Sequence, residues 1–351
     1  MPPREKLAFA DLHREPFRLF FPAATLAGLC GVSLWIPLLL GWTNDYPGTP
    51  HARVMVQGFL AGFIFGFLGT SLPRLLEVPA LTAREVFPLL AVFAGNVGAQ
   101  LAGATALGDG LFAAELAAWF LVLKGRCHAK RDLPPPSFVL VGLSFGCGLA
   151  GTMLFLAGRR GELSAELELL AKLLGYHAFV LLCVLGAGGF LLPRFLGLGV
   201  RRKFPPSTTP TPDWLQGTRV AGGAGLLIVL TYGLEAFGWP RSAVTLRAAL
   251  IVGYLWHELP LEQLRWTWNG VQWLLLSGLV CLPLGVLASG WLPGWRVALA
   301  HIELLSGFGL ITLGVATRVV FGHSGERTQL DRKSTRLNSS HVSESRMPSS
   351  A

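Results

Sequence analysis

The chain is built around apolar runs of about twenty residues in which polar and apolar positions do not alternate. A helix of that length crosses the hydrocarbon of a bilayer, and the missing two-residue period excludes the strands of a closed barrel. Ten such segments are predicted, near residues 17–41, 52–73, 86–106, 108–123, 137–157, 170–193, 218–238, 242–257, 269–290 and 296–320. Only 14% of the 351 residues are charged, against about 25% in a soluble domain, so a water-facing coat is missing. Mean hydropathy is +0.53. The five cysteines are scattered without a C-x-x-C pair, and no Walker or Rossmann motif is present. The sequence therefore specifies an all-α, polytopic transmembrane helix bundle whose first partner is the lipid bilayer.

Positive charge sets the expected orientation. Arg74, Arg84, the cluster Lys124 to Arg131, the stretch Arg194 to Lys203, and Arg318 fall on one side, together with the basic N-terminus. Under the positive-inside rule that side is cytoplasmic, as is the N-terminus. Arg53, Arg247 and Arg296 are expected near outer helix ends. Topology thus accounts for the basic pI of about 9.8, and nucleic acid need not be invoked as a partner. Trp256, Trp266 and Trp268 fit an inner interfacial belt, and Trp291 and Trp295 an outer one.

Three regions divide the chain. Residues 1–193 hold six predicted spans, residues 194–217 form a Pro-rich cytoplasmic linker, and residues 218–327 hold four. Pro205, Pro206, Pro210 and Pro212 make that linker extended rather than helical. Arg332 to Ala351 is Ser-rich, polar and aperiodic, resembles a translated vector scar, and is expected to be foreign to the fold. A six-plus-six plan of twelve spans would place two further helices beyond it.

Three spans echo one another. Each carries a His toward its outer end, at His51, His177 and His301, and an Arg at its inner end, at Arg74, Arg194 and Arg318. Two copies share Leu-Pro-Arg, at Leu72-Pro73-Arg74 and Leu192-Pro193-Arg194. An Arg at a helix C-terminus favours the dipole and snorkels to headgroups, which is the plain reading of all three. Three histidines at one depth could instead converge on a metal or a haem, since neutral imidazole is a ligand for both. Glu115 and Glu303 are intramembrane carboxylates, fit for pairing or for a proton or ligand role. Asn96 and Gln100, four residues apart, are expected to bond a neighbouring helix. His257-Glu258 begins like a zinc-protease helix but lacks the second His.

Several stretches resemble the NnrS family of multi-pass bacterial membrane proteins. These are His13 to Pro22 (HREPFRLFFP), then His51-Ala52-Arg53-Val54-Met55 with Gly58-Phe59 and Gly66-Phe67-Leu68. The most specific is His301 through Gly309, followed by Arg318, Gly322, His323, Ser324 and Gly325. The resemblance covers most of residues 11–327. It implies haem with copper, a role in the response to nitric oxide and in protection from nitrosative stress, a bacterial cytoplasmic (inner) membrane location and the twelve-span plan. His51, His177 and His301 become the expected cofactor ligands, and His51, His301 and His323 the expected metal ligands, with Arg318 alongside. His323, near the inner face, lies some 33 Å of helix rise from His301 and would serve a second inner site or a helix cap.

The chain also departs from the family. Arg53 stands where the second His of His-Ala-His-Glu-Met is usual, Val54 replaces the Glu, and the Thr-Gly pair is absent around Arg74 to Glu77. A guanidinium has no free lone pair and cannot ligate. Read from the residues alone, a cofactor-free secondary transporter with intramembrane Glu115 and Glu303 as proton sites also fits, as does a membrane scaffold subunit. Whether the protein is an enzyme is left open by the sequence, as are its redox partner and substrate.

Overall fold

Local sequence explains where the helices begin and end. The computed structural model describes residues 9–159, 161, 163–199, 204, 206–265 and 270–324. Ten long helices follow in order: α1 Phe17–Leu39, α2 Gly48–Leu75, α3 Ala83–Leu101, α4 Thr105–His128 and α5 Pro136–Gly158. Then come α6 Ala165–Phe195, α7 Pro212–Ala236, α8 Pro240–Glu258, α9 Gly270–Trp291 and α10 Pro293–His323. No strand occurs among the described residues. A capping box opens α3, where the Thr82 backbone N–H and hydroxyl both donate to Glu85. Thr211 caps α7 by accepting from the Trp214 N–H, with Pro212 at the first helical position.

The Leu-Pro-Arg echo is also an echo of backbone. After Arg74 the chain turns left-handed at Glu77 (φ 54°), and Val78 N–H donates back to Pro73 O. After Arg194 the same turn falls on Gly197 (φ 70°), and Leu198 N–H donates to Pro193 O. Both are six-to-one helix closures, and Glu77 occupies a conformation that normally favours glycine.

Every predicted segment coincides with a helix, but eight of the ten helices are long and apolar enough to cross a bilayer; α3 and α8 are not. α3 carries Arg84, Glu85, Asn96 and Gln100, and α8 carries Arg241, Arg247 and Glu258, which dilute their apolar character. Side chains such as Leu26, Leu29, Leu226, Leu230, Val280 and Leu284 remain exposed, which suits contact with lipid and not with water. Trp256, Trp291 and Trp295 are exposed as interfacial belts require, while Trp266 and Trp268 lie outside the described residues. Arg201, Arg202, Lys203, Pro205, Gly325 and the tail from Arg332 onward also lie outside them.

Sequential helices pack as neighbours: α1 on α2, α3 on α4, α5 on α6, α7 on α8 and α9 on α10. Packing also crosses the linker, because α7 rests on α5 and α6, and α10 reaches both α2 and α6. The three look-alike helices α2, α6 and α10 are thereby brought together. The linker is shorter than the expected 194–217, because α7 opens at Pro212 inside it; Ser207 N–H ties it down by donating to Asp132 Oδ1 at 2.9 Å, and the Trp214 indole of α7 donates to Pro134 O at 2.9 Å.

Candidate functional site

Each of the three look-alike helices widens into a π-helical stretch at its histidine. Val54–Leu60 follows His51, Leu173–Ala178 contains His177, and Ile302–Gly309 follows His301. Such turns are rare, cost helix stability and gather at functional sites. Two of them bulge against a glycine of the adjacent helix. A Cβ on Gly151 of α5 would collide with the backbone of Gly175, and one on Gly285 of α9 with the backbone of Glu303. Only glycine leaves room for the widened turn at these points.

The rings of His51 and His301, from opposite ends of the chain, face each other at 6.5 Å between centroids with an interplanar angle of 18°. Their Nδ1 atoms are committed: His51 Nδ1 bonds Gly31 O at 2.9 Å and His301 Nδ1 bonds Val297 O at 2.7 Å. A carbonyl can only accept, so each Nδ1 carries the proton and each Nε2 keeps its lone pair. His177 joins through Glu303, its Nδ1 lying 3.0 Å from Glu303 Oε2. That is the carboxylate–histidine arrangement that orients metal ligands elsewhere. Trp35 closes one side, edge-on to His51 at 5.5 Å. The sequence places His177 near the start of its helix. In the structure α6 begins at Ala165, so His177 lies more than three turns inside it and meets α10 through Glu303.

The arginines expected near outer helix ends turn toward carboxylates, Arg53 and Arg247 buried and Arg296 partly exposed. Arg53 forms a two-pronged pair with Asp109 of α4, at 2.7 and 2.8 Å, with 9% and 0% of the two side chains exposed. Gln57 and Gln100 also donate to Asp109 Oδ1, at 3.0 and 3.2 Å, and the Arg53 guanidinium lies over the Phe155 ring at 4.7 Å. Arg247 pairs with Glu235 at 2.7 Å, donates to Thr231 and stacks on Tyr232 at 3.6 Å, and Arg296 shares the same Glu235. Burying a charge without a partner is prohibitive, so each of these arginines turns inward to a carboxylate. Asp109 and Glu235 drew no notice in the sequence. The signal was present in the lone acids interrupting apolar runs, but their partners lie in other helices.

Other expected residues fall elsewhere. His323 lies at the opposite end, bonded through Nδ1 to Val319 O and through Nε2 to Arg74, and packs on Phe17 at 4.9 Å. Arg318 donates to Phe195 O at 3.3 Å and does not approach the histidine pair. Glu115 is fully buried, beside Trp119 one turn along its own helix. Gln100 does bond neighbouring helices, but Asn96, also fully buried, has no partner for either amide atom, a correction to the shared role expected for the two.

Among the described residues no group of three His, Cys, Asp or Glu side chains converges as a metal cage. A cavity of about 500 Å³ lies at the far end, under the linker between Asp132, Phe190, Arg194, Trp214 and Glu258, and contains none of the three histidines. Comparison with known families matches the chain to the family described as NnrS protein, over residues 11–337. No curated protein and no solved structure matches the chain.

Proposed function

The chain belongs to the NnrS family, and from that premise we propose that it is a haem-containing protein of the bacterial cytoplasmic membrane, with its N-terminus in the cytoplasm, acting in the response to nitric oxide. The observation that carries the reading is the facing pair His51 and His301. Both rings also hold the tautomer that leaves Nε2 free to ligate.

The donor set fits a two-histidine haem better than copper, because no three-ligand group converges among the described residues. Bound there, haem iron would supply one-electron chemistry and affinity for small diatomic ligands. The protein's own part is to orient. Gly31 O and Val297 O fix the two imidazoles, the π-helical turns set their direction, and Glu303 holds His177 within the same region as a further donor. Arg53, standing where a ligating His is usual, is satisfied by Asp109 and withdrawn from ligation.

Absorption spectra, pyridine haemochrome and metal analysis of the purified protein test this. His51→Ala or His301→Ala should abolish or shift the Soret band, while His323→Ala should leave it largely intact. A folded protein, produced with ample haem supply, that shows no Soret absorption and no copper would overturn the reading.

A further inference from the structure

The three look-alike helices each end near an arginine, but the arginines serve different purposes. Arg74 of α2 pairs with Glu15 at 2.6 Å, and Arg318 of α10 donates to Phe195 O at 3.3 Å. Arg194 of α6 has no carboxylate partner among the described residues. Its side chain does not extend toward headgroups as a snorkelling arginine would. It folds back along the helix, where Nη1 donates to Phe190 O and the guanidinium lies over the Phe190 ring at 3.7 Å. That places the charge in the wall of the cavity of about 500 Å³ beneath the linker.

The cavity lies where the first six helices meet the last four, a kind of junction at which small-molecule sites of about 300–1,000 Å³ are common. Two acids share its wall with Arg194. Asp132 Oδ1 accepts from the backbone N–H groups of Leu133 and Ser207, at 2.8 and 2.9 Å. Glu258 reaches from α8 toward α6, so that a Cβ on Gly189 would lie 3.5 Å from its Oε2. An arginine cannot give up its proton, and its planar fork presents paired donors to a phosphate or carboxylate. Arg194 Nε and Nη2 make no bond among the described residues, so that fork is unspent. The two acids repel an anion of high charge, but accept from hydroxyl or ammonium groups carried beside a single anionic group.

We propose that this cavity binds an amphoteric organic group, one phosphate or carboxylate held by Arg194 with ammonium or hydroxyl donors beside it that face Asp132 and Glu258. The same chemistry is carried by small soluble molecules and by the headgroup of a zwitterionic phospholipid. The site lies at the opposite end of the bundle from the histidine pair and does not rest on the haem reading.

The test uses the delipidated full chain in detergent. Phosphoethanolamine and β-alanine, followed by saturation-transfer NMR at their methylene protons, probe a soluble source. Dioleoyl phosphatidylethanolamine, followed as retained adducts in native mass spectrometry, probes a lipid one. At least one of the three should bind saturably, and ethanolamine, which lacks the anionic group, should not. Binding of a soluble probe assigns a soluble ligand, and retention of the lipid alone assigns a headgroup; both support the site. Arg194→Gln should weaken binding by about tenfold or more, the worth of a charge-assisted hydrogen bond. Ser207→Phe fills the cavity from the linker, keeps the backbone bond to Asp132, and serves as the second variant should the first fail to fold. No binding of any probe, binding unchanged in both variants, or ethanolamine binding as well as phosphoethanolamine would each overturn the proposal. His51→Ala should leave this binding unchanged, so failure here and failure of the haem reading are told apart.

Discussion

Replacing Asp109 tests how this chain tolerates an arginine inside its apolar bundle. Asp109 is fully buried, accepts two bonds from Arg53 and accepts further bonds from Gln57 and Gln100. Asp109→Asn keeps the shape but removes the charge, leaving a guanidinium that cannot lose its proton. Breaking a buried pair from one side costs about 3–5 kcal/mol, or two to four powers of ten in the folded-to-unfolded ratio. Arg53→Met is comparably costly near neutral pH, but the stranded carboxyl can take up a proton. That relieves about 1.4 kcal/mol per pH unit as the pH is lowered, whereas the cost of Asp109→Asn stays flat. The double variant Arg53→Met/Asp109→Leu removes both charges and leaves Gln100 bonded to Gln57 at 3.0 Å, so it should lose only about 1–2 kcal/mol. The assay is SDS titration of the protein in mixed micelles, followed by tryptophan fluorescence at several pH values. Additive losses in the double variant, or equal pH dependence of the two single variants, would refute the reasoning.

Gly285→Ala should displace the π-helical turn that carries Glu303, costing about 1–3 kcal/mol by overpacking and altering any spectral band that depends on His301. An unshifted band and unchanged stability would show that the turn does not depend on this glycine. At the opposite end, burial raises the pKa of Glu15, but hydrogen bonds from Arg18 and Arg74 and the charge of His323 outweigh it, and the net shift is below the ordinary 4.5. A depressed carboxyl stabilises the fold above its ordinary pKa and loses that contribution as the pH falls through the folded value. Glu15→Gln should therefore cost about 1–2 kcal/mol near neutrality, with the gap to wild type closing below pH 4.5 in thermal unfolding scans.

The helices were legible because the bilayer imposes a local rule, and length with apolarity is readable one segment at a time. Helix ends were less legible: Pro212 reads as part of an extended linker, yet it sits at the first helical position of α7, and the Thr82 capping box and the two Leu-Pro-Arg closures emerge only in the structure. The candidate site was legible in part. His51, His177 and His301 stood out by their repeated place along similar helices, and the structure draws His51 to His301 and His177 to Glu303. His323 stood out equally, and the structure places it at the opposite end of the bundle beside Arg74, a contact that no spacing within one helix could reveal.

Composition and periodicity determined an all-α membrane bundle, its segment positions and the echo among three of its helices. Tertiary structure alone decided that Arg53 finds Asp109, that Arg247 and Arg296 share Glu235, and that three helices widen at their histidines. The reason is physical. A helix bathed in lipid is apolar on nearly every face, so its sequence carries little record of which face turns inward. Rotation and register are settled by small residues, buried ion pairs and packing between segments distant in the chain, and those contacts exist only once the bundle has formed.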